Sequence, residues 1–187
     1  MEGAAINPID LLVEVIKEHS PKDIWQGSAL LGYRNLGNTN RGEIGEEFVR
    51  RYLTAARISV SVKGNRSSLT DMLIGGHHFE VKTASLGANS TFQFNHIRMD
   101  RRYEYLLCLG ICPHDIVFNA WRKGDVAEEK AGRLVRMAEG QAVTAKLTKR
   151  LIDMRPISAL QQFLFMEWAI TADAPSAPDG LIGETPT

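Results

Sequence analysis

The stretch Thr70-Asp71-Met72-Leu73-Ile74-Gly75-Gly76-His77-His78-Phe79-Glu80-Val81-Lys82 constrains the fold more than any other part of the chain. Two adjacent glycines separate two short apolar-patterned runs. Both can take positive φ without a Cβ penalty, which a two-residue hairpin loop requires. A loop at Gly75-Gly76 sets Ile74 against His77, Met72 against Phe79 and Asp71 against Glu80. Alternation along each strand then sorts the faces. Met72, Ile74, Phe79 and Val81 share an apolar side that belongs in a core, and Asp71, Glu80 and Lys82 share the other.

Opposed residues on paired strands have Cβ atoms ~5 Å apart, and like charges there repel. Two carboxylates in that position need an offsetting partner, and a divalent cation is the natural one. Hard oxygen ligands suit Mg²⁺, which commonly takes one or two carboxylates plus phosphate oxygens. Such an ion polarises a phosphate and acidifies water, while Lys82 can orient water or balance charge developing on phosphorus. The competing reading is a solvated hairpin with Lys82 merely paired to Glu80. The register and the apolar opposite face favour the metal site.

Upstream, Gly42-Glu43-Ile44-Gly45-Glu46-Glu47-Phe48-Val49-Arg50-Arg51-Tyr52-Leu53 has helical spacing, with a helix expected from about 43 to 56. Glu46 lies on a stripe with Val49 and Leu53 and faces inward. Glu43 is the second choice for that role, and Glu47 is positioned to pair with Arg51 on the outer surface. Asn7-Pro8 reads as a cap and first turn, with Ile9, Leu12, Val13 and Ile16 at helical spacing over 8–19. Residues 26–42 read as loop. Strands are expected at 58–63, 70–74, 77–83, 105–111 and 116–121, and loops at 64–68 and 85–90. Residues 92–97 fit either a strand or a helix. Helices are expected at 124–139 and 158–170. The fold class is therefore α/β, with a mixed central sheet flanked by helices.

Asp71, eight intervening residues and Glu80-Val81-Lys82, with the helix carrying Glu46, resemble the PD-(D/E)XK nuclease superfamily in its type II restriction endonuclease-like branch. Thr70 stands where the family's name has proline. The resemblance spans roughly residues 41–121. It implies a restriction endonuclease-like αβα core, phosphodiester hydrolysis and dependence on Mg²⁺, with Mn²⁺ able to substitute. It also implies metal ligation by Asp71, Glu80, the Val81 carbonyl and Glu46, and a catalytic set of Asp71, Glu80, Lys82 and Glu46. Gln93, in Phe92-Gln93-Phe94-Asn95-His96-Ile97-Arg98, is a candidate supporting or phosphate-contact residue; a strand-edge glutamine is the equal alternative.

The domain plan is an N-terminal helix and loop over 1–40, a nuclease domain over 41–170 and a disordered tail over 171–187. The expected partner is double-stranded DNA. One site per chain and two strands to cut imply a homodimer. Net charge is zero, but residues 41–155 carry +6 and the flanks −6, which suits a polyanion in the middle of the chain. Arg98, Arg101, Arg102, Lys146, Lys149, Arg150 and Arg155 are candidates for backbone contact, with a solvated face as the alternative. No apolar run spans a bilayer and no signal peptide is visible, so the expected location is the cytoplasm, with no membrane partner. Cys108, Cys112 and His114 are too few for a zinc site, and His77-His78 point opposite ways. Trp25, Trp121 and Trp168 are expected in the core. The leading function is a restriction enzyme. The alternatives are a repair, recombination or toxin nuclease, and a catalytically silent DNA-binding subunit.

Overall fold

The computed structural model describes residues 7–20, 23–62, 70–137 and 144–172. The expected loop at 64–68 lies outside these residues, as does the expected tail from residue 173 on. A six-stranded mixed sheet forms the centre, in the order β1 (Val60–Val62), β2 (Met72–Ile74), β3 (His77–Ser85), β5 (Tyr105–Ile111), β6 (Ile116–Arg122) and β9 (Arg155–Pro156). A second sheet has three strands, β4 (Thr91–Arg98), β8 (Thr144–Arg150) and β7 (Leu134–Met137). Residues 92–97 thus resolve as strand.

The glycine hairpin forms as its composition demands. Gly75 and Gly76 sit at φ +55° and +85°. Met72 pairs with Phe79, Leu73 with His78 and Ile74 with His77. From Phe79 to Ser85, β3 runs parallel to β5, and β5 returns antiparallel to β6. The β5 residues are buried throughout, as a central strand covered on both faces must be.

Two helices pack on one face of this sheet. The helix α3 (Asn38–Ala55) buries Gly45, Val49 and Leu53. A Cβ added to Gly45 would lie 1.9 Å from Thr83 Oγ1, so only glycine lets α3 approach β3 this closely. The C-terminal helix α5 (Leu160–Trp168) brings Trp168 onto Tyr105, with ring centroids 4.1 Å apart, and Phe163 edge-on to Phe118. The opposite face receives the second sheet. There Phe92 sits over Gly110, where a Cβ would come within 2.7 Å of its ring, and Lys149 stands over the Trp121 ring. Trp25 is buried as expected, donating its indole N–H to the Leu86 carbonyl.

Several expectations are corrected. The helix begins at Asn38 rather than 43, with Gly37 in extended backbone at its N-cap position. The loop assigned to 26–42 also holds a short helix, α2 (Leu31–Arg34). The helix expected over 124–139 is only α4 (Lys123–Ala127), followed by the strand β7. Glu129 at φ +58° and Gly132 at φ +125° end the helical path between them. Lys146, Lys149 and Arg150 lie on β8, not on a helix face. The helix α1 (Pro8–His19) forms where expected, with the Asn7 side chain accepting from Ile9 N at 3.0 Å, but it buries no residue. Ile9, Leu12, Val13 and Ile16 are all exposed.

Candidate active site

The β2–β3 ladder ends at Met72 and Phe79, and among the described residues no strand pairs with that edge of β3 from Glu80 onward. Asp71 turns out of the ladder there. Its backbone N–H donates to the Phe79 carbonyl at 3.1 Å, and its carboxylate Oδ2 accepts from Val81 N–H at 3.0 Å. The aspartate thus caps an edge amide that would otherwise lack a partner. This also fixes the carboxylate beside Glu80.

Glu80 is fully buried, while the side chains of Asp71, Lys82 and Arg101 are 13%, 18% and 25% exposed. Lys82 Nζ lies 2.7 Å from Glu80 Oε1 and 3.7 Å from Asp71 Oδ2. Arg101 Nη1 lies 3.2 Å from Asp71 Oδ1 and 3.3 Å from Glu80 Oε2. Two carboxylates and two cations are therefore gathered at one strand edge. Glu80 Oε1, despite its close contact with the ammonium, accepts no well-angled hydrogen bond. Burial pushes the Glu80 carboxyl above its ordinary range, and neighbouring Asp71 adds to this against the lowering pull of Lys82 and Arg101.

Glu46 joins them from α3. Its carboxyl is pushed up to about 7, first by burial and then by the negative charge of Asp71, with Glu80 and Glu43 adding and Lys82 opposing. Gly45 sets this approach, because the tight contact with Thr83 places the next residue of α3 over the β3 edge. Glu47 is on the outer surface as expected, held by Arg50 and Arg51.

A cleft of about 390 Å³ runs along the free edge, walled by α3 and β4. Glu46, Val81 and Lys82 line it together with Gln93. Gln93 is exposed on β4 and pairs in register with Thr148 of β8. Asn38, Asn95 and His96 add polar groups to the walls. A β-bulge between Phe94 and Ile97, with His96 at φ +58°, turns the strand at this point. Sequence patterning had no means of selecting these wall residues.

Arg101 was foreseen only as one of several basic residues for backbone contact. The available signal was topological: Tyr105 pairs in parallel with Phe79, so the residues preceding β5 reach the start of β3. Three of the other basic residues are engaged elsewhere. Arg98 pairs with Asp100 and Arg150 with Asp153, and Arg155 stands over the Phe163 ring. The histidines take structural partners, with His78 Nδ1 3.2 Å from Thr70 Oγ1 and His77 beside Glu104. Cys108 and Cys112 are buried free thiols, and burial raises the Cys112 pKa to about 11.

Among the described residues, no three His, Cys, Asp or Glu side chains converge tightly enough to form a metal site by themselves. The donor set nonetheless suits a hard cation. It offers two adjacent carboxylates, Asp71 and the buried Glu80, at a strand edge beyond the last β2–β3 pair.

No protein-family model matches the chain, and no curated protein matches it. Among solved structures it is similar to a bacterial homing endonuclease, I-Ssp6803I, at 13% identity and a TM-score of 0.42. The match covers 72% of this chain and 97% of that one. A likeness this distant carries no conclusion about activity. Among the described residues, no helix is long and apolar enough to cross a membrane.

Proposed function

We propose that the chain is a Mg²⁺-dependent DNA endonuclease of the PD-(D/E)XK type, acting as a restriction enzyme or a close relative. The observation that supports this most is the convergence of Asp71, Glu80 and Lys82 on one strand edge, with Lys82 also lining a polar cleft beside Glu46 and Gln93. A purely structural ion pair has no need of a second buried carboxylate, since each buried charge costs several kcal/mol of desolvation.

Asp71 and Glu80 are the ligands for a divalent cation, with Glu46 in support. The Val81 carbonyl is the backbone ligand in this reading. Its N–H points to Asp71, and the N–H and C=O of one strand residue face the same edge. When bound, the cation supplies charge neutralisation at the scissile phosphate and acidification of water. Lys82, already within 2.7 Å of Glu80, holds an attacking water and balances negative charge on phosphorus. Gln93, across the cleft, contacts the phosphate backbone. The positive charge of residues 41–155 draws duplex DNA to this face.

The test is supercoiled plasmid incubated with Mg²⁺, or with Mn²⁺ as a substitute. Discrete fragments are expected, and none with a chelator present. A smear instead of bands would point to a repair or toxin nuclease using the same site. DNA retention without cleavage in either metal would overturn the enzymatic reading in favour of a binding subunit.

A further inference from the structure

We infer that Arg101 is a displaceable counter-ion. It bridges the two carboxylates while no cation is bound, yields to the cation, and then turns to a DNA phosphate. The inference rests on the cation reading above and adds how the site is held ready and how metal entry is coupled to DNA binding.

The geometry of the bridge carries it. One nitrogen, Nη1, serves both carboxylates, at 3.2 Å to Asp71 Oδ1 and 3.3 Å to Glu80 Oε2. A retained arginine–carboxylate pair is usually bidentate and shorter, roughly 2.7–2.9 Å. Elsewhere in this chain arginine does pair that way: Arg50 reaches both oxygens of Glu47 at 2.6 Å. The Arg101 bridge is long, shared and single-pronged. It balances charge without closing the site.

The backbone under Arg101 is fixed, so the side chain can move alone. Lys123 Nζ donates to the Arg101 carbonyl, and the same ammonium stands over the Tyr103 ring at 4.9 Å. Arg101 N–H also reaches the Arg98 carbonyl at 3.3 Å. With a quarter of its side chain exposed, the guanidinium has a path to solvent. A divalent cation bearing twice the charge displaces it from the carboxylates. Released, it is a planar donor suited to a phosphate.

Calorimetric titration of Mn²⁺ into wild type, Arg101→Gln and Arg101→Lys tests the displacement. Arg101→Gln keeps much of the shape and removes the charge, and its Mn²⁺ affinity should rise by about tenfold. Arg101→Lys should fall between, which keeps the series informative if either variant folds poorly. Duplex binding against salt tests the second role. In Ca²⁺, the slope of log affinity on log salt should be smaller for Arg101→Gln by about 1, the loss of one phosphate contact. In chelator, the two proteins should show the same slope. Manganese affinity unchanged or weakened in Arg101→Gln overturns the displacement, and equal slopes in Ca²⁺ overturn the phosphate role. Absence of Mn²⁺ binding in wild type and both variants removes the cation reading itself, and the inference with it.

Discussion

A buried glutamate, a capping aspartate and a lysine sharing one strand edge set an electrostatic problem that Glu46 makes worse. Its carboxyl is raised to about 7 by burial and by the Asp71 charge. In the unfolded chain the same group ionises near its ordinary value of 4.5. Folding therefore takes up a proton between these two values. The stability that the neutral Glu46 provides is whole below about 4.5 and is lost as pH rises through about 7. In chelator, thermal melting of the wild type should fall across this window relative to Glu46→Gln, and the variant should melt higher at pH 8. Parallel melting curves from pH 5 to 8 would contradict the burial of Glu46 beside Asp71. At this scale strand alternation made Glu80 and Lys82 legible as neighbours on one face, whereas the expected strand pairing of Asp71 with Glu80 is replaced by Asp71 turning out of the ladder to accept from Val81 N–H. Arg101 was not legible, since nothing in local spacing reports a contact made through parallel pairing of distant strands.

Among the elements, α3 and α1 look alike in sequence and differ in role. Both present apolar residues at helical spacing, yet α3 buries Val49 and Leu53 while α1 buries nothing. The difference lies in Gly45. It lets α3 lie against β3, whereas α1 buries none of its residues among those described. Leu53→Ala should cost ~2–5 kcal/mol of unfolding free energy, as a large-to-small change in a packed core does. Leu12→Ala should stay within about 0.5 kcal/mol. Denaturant melts of the two variants check this, and equal losses would mean that α1 is packed after all. The hairpin and the buried strands β5 and β6 were readable because their patterns are local. The strand β7 was not, because residues 124–139 offer mixed polar and apolar positions with no period strong enough to separate a short helix from the strand that follows it.

In the whole molecule, the mixed sheet is covered by α3 and α5 on one face and by the second sheet on the other, and the cleft opens between α3 and β4. This division places the polar wall of β4 opposite the metal-ligand candidates, which suits a duplex lying along the free edge of β3. One active site cuts one strand at a time, so cutting both strands of a duplex is expected to need a symmetric pair of chains. Sedimentation of the protein with a duplex target should give two chains per duplex, whereas one chain per duplex would exclude paired cutting. The most direct measurement of the central claim is single-turnover cleavage of duplex DNA by Glu80→Gln beside the wild type, across a Mg²⁺ titration. Glu80→Gln preserves the side chain's size and removes one of the two charges of the proposed cation site. The expected result is a cooperatively folded protein that leaves DNA intact at every Mg²⁺ concentration at which the wild type cuts it. Cleavage by the variant at the wild-type rate would contradict the account.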